Sequence, residues 1–184
     1  LMPVTFVIAT ITALSMAGIP PLNGFISKEM MLKETTYAAW AGNPWLVPAL
    51  ATFGALFSVA YSFRYIWHVF MGPVRDDYPA RPHDPGFGMW AGPALLAAIV
   101  VGIGVAPFVV EPFVNVVAGA VTGAPQDTHL KLWHGVNAAL FMSIAAILGG
   151  ALLLASHRPL EAGWLRAGPP AAKAIFDAIV GAAT

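Results

Sequence analysis

The sequence has 184 residues, of which 58% are hydrophobic and 10% are charged, with a formal net charge of zero and no cysteine. Because soluble domains carry about 25% charged residues, this composition favours a membrane protein. The balanced charge gives no electrostatic footprint for nucleic acid, and the lack of cysteine excludes disulfides, cysteine-type zinc sites and iron–sulfur clusters.

Four long stretches of the chain contain no Asp, Glu, Lys or Arg, namely residues 1–27, 35–63, 85–110 and 132–157. Each is longer than the roughly 20 residues that a helix needs to cross a bilayer. The stretches show neither the polar face of a soluble amphipathic helix nor the alternation of a transmembrane strand. The sequence therefore predicts an all-α integral membrane protein with about four hydrophobic passes.

The first pass is predicted to be a discontinuous helix. It begins at about Pro3 and meets the helix-breaking run "GIPPLNG", residues 18–24, after which a second half-helix runs from about Phe25 to Ala39. Pro20 and Pro21 lack an amide hydrogen and clash with the preceding turn, so nearby carbonyl groups are expected to lose their intrahelical partners. Such open backbone is tolerated in a membrane where it is buried in protein or lines a wet cavity, as in transporters. The alternative is a simple surface loop between two short helices.

Lys28 is the first charged residue of the chain and follows this break directly. A charge at the centre of a bilayer costs about 2.5–3.5 kcal/mol on insertion scales, and such residues usually face a pathway or a partner. Glu29 and Lys33 are expected to form an i,i+4 pair, whereas Lys28 projects from a largely apolar stripe. Because desolvation favours a neutral amine, Lys28 is predicted to exchange a proton. A lysine that extends its amine to the headgroups is the alternative.

Three further passes are predicted at about Trp45–Met71, Met89–Val110 and Leu130–Ala155, with a short interfacial helix between Glu111 and Asp127. Basic residues cluster at the junction between the first of these passes and the loop that follows it, and again after the last pass. Two crossings separate the two clusters, so both are expected in the cytoplasm by the positive-inside tendency. The residues of the first cluster are Arg64, Arg75 and Arg81.

Other polar side chains are candidates for a proton path, each with a structural alternative. Arg64 and His68 lie at i and i+4 near the end of their helix, where headgroup contact is the alternative. His134 is placed at the outer start of the last pass, as a proton-exit residue or an interfacial anchor. Thr12 and Ser15 share about a quarter of the helix circumference and either hold water leading to Lys28 or bond to their own backbone.

Three segments carry a resemblance to a known family. "MAGIPPLNGFISKE", residues 16–29, closely resembles the discontinuous helix of the antiporter-like subunits shared by Mrp-type cation/proton antiporters and respiratory complex I. "SVAYSFRYIWHVFMGP", residues 58–73, is similar to the helix that follows, and "THLKLWHGVNAALFMS", residues 128–143, is closer to the A-type Mrp subunit. The resemblance implies that residues 1–160 are the C-terminal part of the antiporter-like transmembrane domain. Residues 161–184 are predicted to form an amphipathic tail.

The resemblance also implies a function. Lys28 would end a chain of ionisable residues along which a proton moves at half-membrane depth, with Glu29 in the adjacent acidic position. The helix break would comprise Gly18, Pro20, Pro21 and Gly24. The other relay groups would lie upstream of Leu1, so the chain is expected to be a piece of a longer subunit. That subunit would be a secondary transporter component of the plasma (inner) membrane, working with other subunits, protons and Na⁺ or K⁺, and needing no cofactor or metal.

Three other interpretations stay open at this point. Within the family, the long proton-pumping subunit of complex I would make the chain part of an NADH dehydrogenase. A membrane redox anchor could bind haem through His68, His134 or His157, of which only the first and last are placed on one side of the membrane. A purely structural scaffold would tolerate the loss of Lys28.

Overall fold

The computed structural model describes residues 2–71, 82–125, 127–133 and 135–156. Within these ranges the regular structure is helical, without a β-strand. The helices are α1 (Pro3–Ala17), α2 (Asn23–Thr35), α3 (Leu46–Phe70), α4 (Phe87–Val105), α5 (Glu111–Thr122) and α6 (Ala138–Ala155), with a 3₁₀ turn at Pro107–Val109. Helices α3, α4 and α6 are long and apolar enough to cross a membrane, and α1 is a shorter apolar helix. The predicted fold class is confirmed, while the tail at 161–184, Arg75 and Arg81 lie outside the described residues.

The ends of two predicted passes were wrong, for reasons of local backbone chemistry. Helix α6 begins at Ala138 rather than at about Leu130, because Gly135 has a φ of +81° and Asn137 is the N-cap residue. Helix α4 ends at Val105 rather than at about Val110, because Pro107 follows. A residue before proline is pushed out of the helical region, and Ala106 has φ −126° and ψ 64°.

A carboxylate from the loop before α4 caps the N-terminus of α1. Asp84 accepts hydrogen bonds from the amides of Val4 at 3.1 Å and Thr5 at 3.0 Å, and from the Thr5 hydroxyl at 2.8 Å. Desolvation raises the pKa of Asp84, but these hydrogen bonds lower it by a larger amount. The pKa of Asp84 therefore lies below that of free aspartate. A negative charge is favourable at the first turn of a helix, and this contact fixes the start of α4 beside the start of α1.

Helix α3 packs against α1 along its C-terminal half and against α6 near its middle. The rings of Phe6 and Phe70 are 5.3 Å apart, which joins the start of α1 to the end of α3. Val59 is fully buried, and a Cβ atom on Gly150 would lie 2.6 Å from its Cβ atom. Helices α3 and α6 therefore approach each other at a glycine, where the smallest side chain permits close backbone contact.

The far end of α4 lies against the break between α1 and α2. A Cβ atom on Gly104 would overlap the carbonyl oxygen of Pro21 and would lie 2.8 Å from the amide nitrogen of Asn23. Because α4 touches Asp84 at its start and the break at its end, it runs parallel to α1 and supports both ends of that half-helix.

This contact predicts that Gly104→Ala destabilises the full-length protein by about 1–3 kcal/mol, the usual range for overpacking a tight site. The matched control is Gly102→Ala in the same helix, where a Cβ atom would meet no neighbour within 4 Å. That control is expected to be neutral or slightly stabilising, because alanine is the better helix former by about 1 kcal/mol. Thermal unfolding in detergent measures both, and equal melting temperatures would contradict the packing of α4 on the break.

Candidate functional site

The break after α1 is a turn held by backbone hydrogen bonds. Gly18 has a φ of +78°, its amide donates to the Ser15 carbonyl at 2.9 Å, and the Ile19 amide donates to the Leu14 carbonyl at 3.0 Å. These two hydrogen bonds form a Schellman motif, a common helix end that uses glycine in the left-handed conformation. The Leu22 amide then donates to the Ile19 carbonyl at 3.2 Å and closes the turn before α2.

Ser15 joins the two half-helices across this turn. Its hydroxyl donates to Asn23 Oδ1 at 2.7 Å and accepts from the Gly24 amide at 3.2 Å. A Cβ atom on Gly24 would overlap the carbonyl oxygen of Ser15, so α2 begins in close contact with the end of α1. The side chain of Ser15 is therefore used to hold the break together.

Lys28 reaches back from α2 over the end of α1 to α3. A Cβ atom on Gly18 would lie 2.8 Å from Lys28 Cδ, so the aliphatic part of the lysine crosses this glycine. Its Nζ donates to the hydroxyl of Ser58 at 2.9 Å, and that hydroxyl donates to the Met16 carbonyl at 3.0 Å. The amine is thus connected through one serine to a backbone carbonyl at the end of α1.

Glu29 lies on another side of α2 and is buried, with a relative exposure of 3%. Its Oε1 accepts a hydrogen bond from Asn137 Nδ2 at 3.4 Å. The same asparagine caps α6, because its Oδ1 accepts from the Leu140 amide at 2.8 Å. The sequence pattern predicts a pair of Glu29 with Lys33, whereas the structure buries Glu29 against the N-terminus of α6 and leaves Lys33 exposed.

A cavity of about 350 Å³ is lined in part by Glu29. The exposed side chains of Asp127 and His129 lie on its wall, and His129 Nδ1 is 3.2 Å from Glu111 Oε1. The residues that line the cavity are Glu29, Met30, Lys33, Glu34, Asp127, Thr128, His129 and Asn137. Glu29 therefore lies beside polar and charged side chains of the protein surface.

The remaining predicted residues are not brought to Lys28 by the described contacts. Thr12 donates to the carbonyls of its own helix at Ile8 and Ala9, 3.0 Å in each case, as its structural alternative required. His68 Nδ1 lies 3.0 Å from the Arg64 carbonyl in the last turns of α3. At 1.5 Å per residue, His68 is about 15 Å beyond Ser58 along the helix axis. His134 and His157 lie outside the described residues.

Two contact residues of the site, Ser58 and Asn137, were not predicted from the sequence. Both lie within the segments that carry the family resemblance, at the start of "SVAYSF" and in "HGVNAAL". For Asn137, its position directly before an apolar run was a helix-start signal. Ser58 has no local signal beyond being a hydroxyl in an apolar span.

The fold and the site together define a class of protein. It is a helical membrane protein in which an interrupted helix carries adjacent basic and acidic residues, each bonded to a different neighbouring helix.

Comparison with known proteins narrows this class. No protein-family model matches the chain. The A1 subunit of the Na⁺/H⁺ antiporter of Staphylococcus aureus strain JH9 is 34% identical over 167 residues, which are 84% of this chain and 20% of that protein. The same protein of strain Newman shows the same identity and coverage. The structure of the Mrp complex from Dietzia sp. DQ12-45-1b matches 98% of this chain and 20% of its own, with a TM-score of 0.74 and 31% identity.

The chain is therefore a homologue of part of the A1 subunit of Na⁺/H⁺ antiporters, and the resemblance found in the sequence is confirmed. It spans about a fifth of the length of these relatives.

The two roles of Asn137 give a testable prediction. Asn137→Ala removes both the cap of α6 and the donor to Glu29, and loss of a cap alone costs about 1 kcal/mol. Asn137→Ser keeps a capping oxygen and loses only the donor to Glu29, so its thermal unfolding temperature is expected between wild type and Asn137→Ala. An Asn137→Ala protein that unfolds at the wild-type temperature would contradict a stabilising role for this cap.

Proposed function

We propose that this chain is part of the proton-translocating subunit of a multisubunit cation/proton antiporter, and that Lys28 carries the proton at the end of its intramembrane relay. The supporting observation is the position of the Lys28 amine, which lies across the helix break and binds a neutral hydroxyl on α3. The relatives are named as Na⁺/H⁺ antiporter subunits, which supports exchange of protons against a monovalent cation in the whole complex.

The surroundings of Lys28 suit a group that must both hold and release a proton. Among the described residues, no carboxylate oxygen lies within 4.0 Å of Nζ. An ammonium paired directly with a carboxylate is stabilised in its charged form, whereas a serine hydroxyl can either accept from an ammonium or donate to a neutral amine. The proposed relay therefore uses a lysine whose hydroxyl partner serves both protonation states.

Glu29 provides the proposed connection from Lys28 to one side of the membrane. The two residues are adjacent in α2, and Glu29 borders the polar cavity that leads past Asp127 and His129. A proton that leaves Lys28 would pass through water to the Glu29 carboxylate and then into this cavity. The distribution of basic residues in the sequence favours the outer side for this cavity, with His134 in the same region of the chain.

The opposite end of the path is proposed at the cytoplasmic end of α3. Arg64 and His68 lie on the exposed surface of the described chain there, on the helix that carries Ser58. Thr12 and Ser15 lie in α1 before the break, and their proposed part is to border the water that leads to Lys28. The remaining relay groups and the cation path are proposed to lie in the rest of the subunit and its partner subunits.

Lys28 variants in the complete antiporter complex test this function. Lys28→Ala removes the proton carrier, and Lys28→Arg keeps the charge on a side chain that does not deprotonate in proteins. Both are expected to reduce cation-driven proton movement by about tenfold or more, as is common for loss of a proton-transfer group. The measurement is the collapse of a pH gradient in everted membrane vesicles on addition of Na⁺ or K⁺.

The control for these variants is Lys131→Ala, which deletes an exposed lysine and is expected to transport at the wild-type rate. Equal amounts of assembled complex are verified for every variant. Wild-type transport by Lys28→Arg would contradict a relay that needs Lys28 to lose its proton, and wild-type transport by Lys28→Ala would favour a scaffold role.

A further inference from the structure

Ser58 differs from the other serine and threonine residues of α3 in what it bonds. Thr52 and Ser62 donate to carbonyls one turn earlier in their own helix, at 2.8 Å each, which is the common behaviour of hydroxyl residues in apolar helices. Ser58 instead donates to the Met16 carbonyl of α1 at 3.0 Å. Its oxygen also accepts from Lys28 Nζ at 2.9 Å.

The partner carbonyl is available because of how α1 ends. The Schellman motif uses the carbonyls of Leu14 and Ser15. The residue four positions after Met16 is Pro20, which has no amide hydrogen to donate to the Met16 carbonyl. The last carbonyls of a helix carry its partial negative charge. Two hydrogen bonds through Ser58 therefore link the ammonium group of Lys28 to the partial negative charge at the C-terminal end of α1.

We propose that Ser58 is a positioning residue that reverses its hydrogen bond when Lys28 changes protonation state. With Lys28 charged, Nζ–H donates to Ser58 and the Ser58 hydroxyl donates to Met16. When Lys28 has lost its proton to water, the amine has a lone pair, and the Ser58 hydroxyl turns to donate to it. The Met16 carbonyl is then left open at the helix break, and Ser58 keeps its own proton throughout.

This inference rests on the proposed proton role of Lys28 and adds a structural consequence of it. The Met16 carbonyl would lose its hydrogen bond each time Lys28 is deprotonated and regain it each time Lys28 is protonated. The charge on Lys28 is in this way coupled to the junction of α1 and α2. The serine hydroxyl supplies both arrangements by rotation about a single bond. The charged arrangement contains two hydrogen bonds through Ser58 and the neutral one contains one, so the hydroxyl favours the charged lysine.

Few other titratable groups lie on the helices that surround this contact. Helices α1, α4 and α6 contain none within their bounds. Helix α2 contributes Glu29, Lys33 and Glu34 beside Lys28, and α3 contributes Tyr61, Arg64, Tyr65 and His68 toward its C-terminal end. Their effect on the transport pH profile is shared by wild type and Ser58 variants, so a difference between those profiles reports on Ser58 itself.

The experiment compares Ser58→Ala and Ser58→Thr in the complete complex, with pH-dependent transport in vesicles as the measurement. Ser58→Ala removes the acceptor of the ammonium, so the alkaline limb of the transport profile is expected to move to lower pH by about one pH unit. That shift corresponds to the loss of one hydrogen bond to a charged group. Ser58→Thr keeps a hydroxyl and is expected to restore the wild-type profile.

Ser62→Ala is the matched control, because it deletes a serine hydroxyl one turn later whose bond stays within α3. It is expected to leave the pH profile unchanged. An unshifted profile for Ser58→Ala, in a complex whose transport is abolished by Lys28→Ala, would overturn the role of Ser58 and leave the proposed function intact. A shift that Ser62→Ala reproduces would also overturn it.

A double-mutant cycle on thermal stability tests the contact independently of transport. If Ser58 and Lys28 interact as described, the effects of Ser58→Ala and Lys28→Ala on unfolding are non-additive. Additive effects would overturn the inference even where Lys28 proves essential for transport. If transport instead survives Lys28→Ala, the proposed function fails, and the coupling proposed for Ser58 fails with it.

Discussion

The interruption between α1 and α2 is the constraint on which the site depends. A helix that stops inside an apolar protein must find partners for its last carbonyl groups. In this chain the turn at Gly18 bonds two of them, and Ser58 bonds the Met16 carbonyl from a neighbouring helix. The same turn brings the start of α2 under the end of α1, so that Lys28 passes over Gly18 and reaches the serine that holds that carbonyl.

The two charged residues after the break are placed in complementary environments, although they are adjacent in the sequence. Lys28 is connected through Ser58 to the C-terminal end of α1, and Glu29 is connected through Asn137 to the N-terminal end of α6. Helix C-termini favour cations and N-termini favour anions. The fold thus separates a basic and an acidic group by directing them to opposite helix ends, and the acidic one borders a polar cavity.

The fold class and the break could be predicted from the sequence because both depend on local patterns. Charge-free stretches of bilayer length define the passes, and the pair Pro20 and Pro21 is incompatible with a continuous helix. The burial of Glu29 and its contact with Asn137 could not be predicted, because they join residues 108 positions apart. The start of α6 was misplaced because the uncharged stretch begins at Leu132, before the N-cap residue Asn137, and the stretch alone was used to place the helix. Ser58 was missed because its hydroxyl bonds to α1 and not to its own helix, and a contact between two helices has no local sequence pattern.

The position of Lys28 is tested most directly by a high-resolution structure of the complete complex in a lipid nanodisc, with the upstream helices present. We predict that Lys28 Nζ lies about 3 Å from Ser58 Oγ, within hydrogen-bonding distance, and that this serine also contacts the Met16 carbonyl below the headgroup level. A Lys28 side chain extended into the headgroups, with the Ser58 hydroxyl bonded to its own helix, would contradict this prediction.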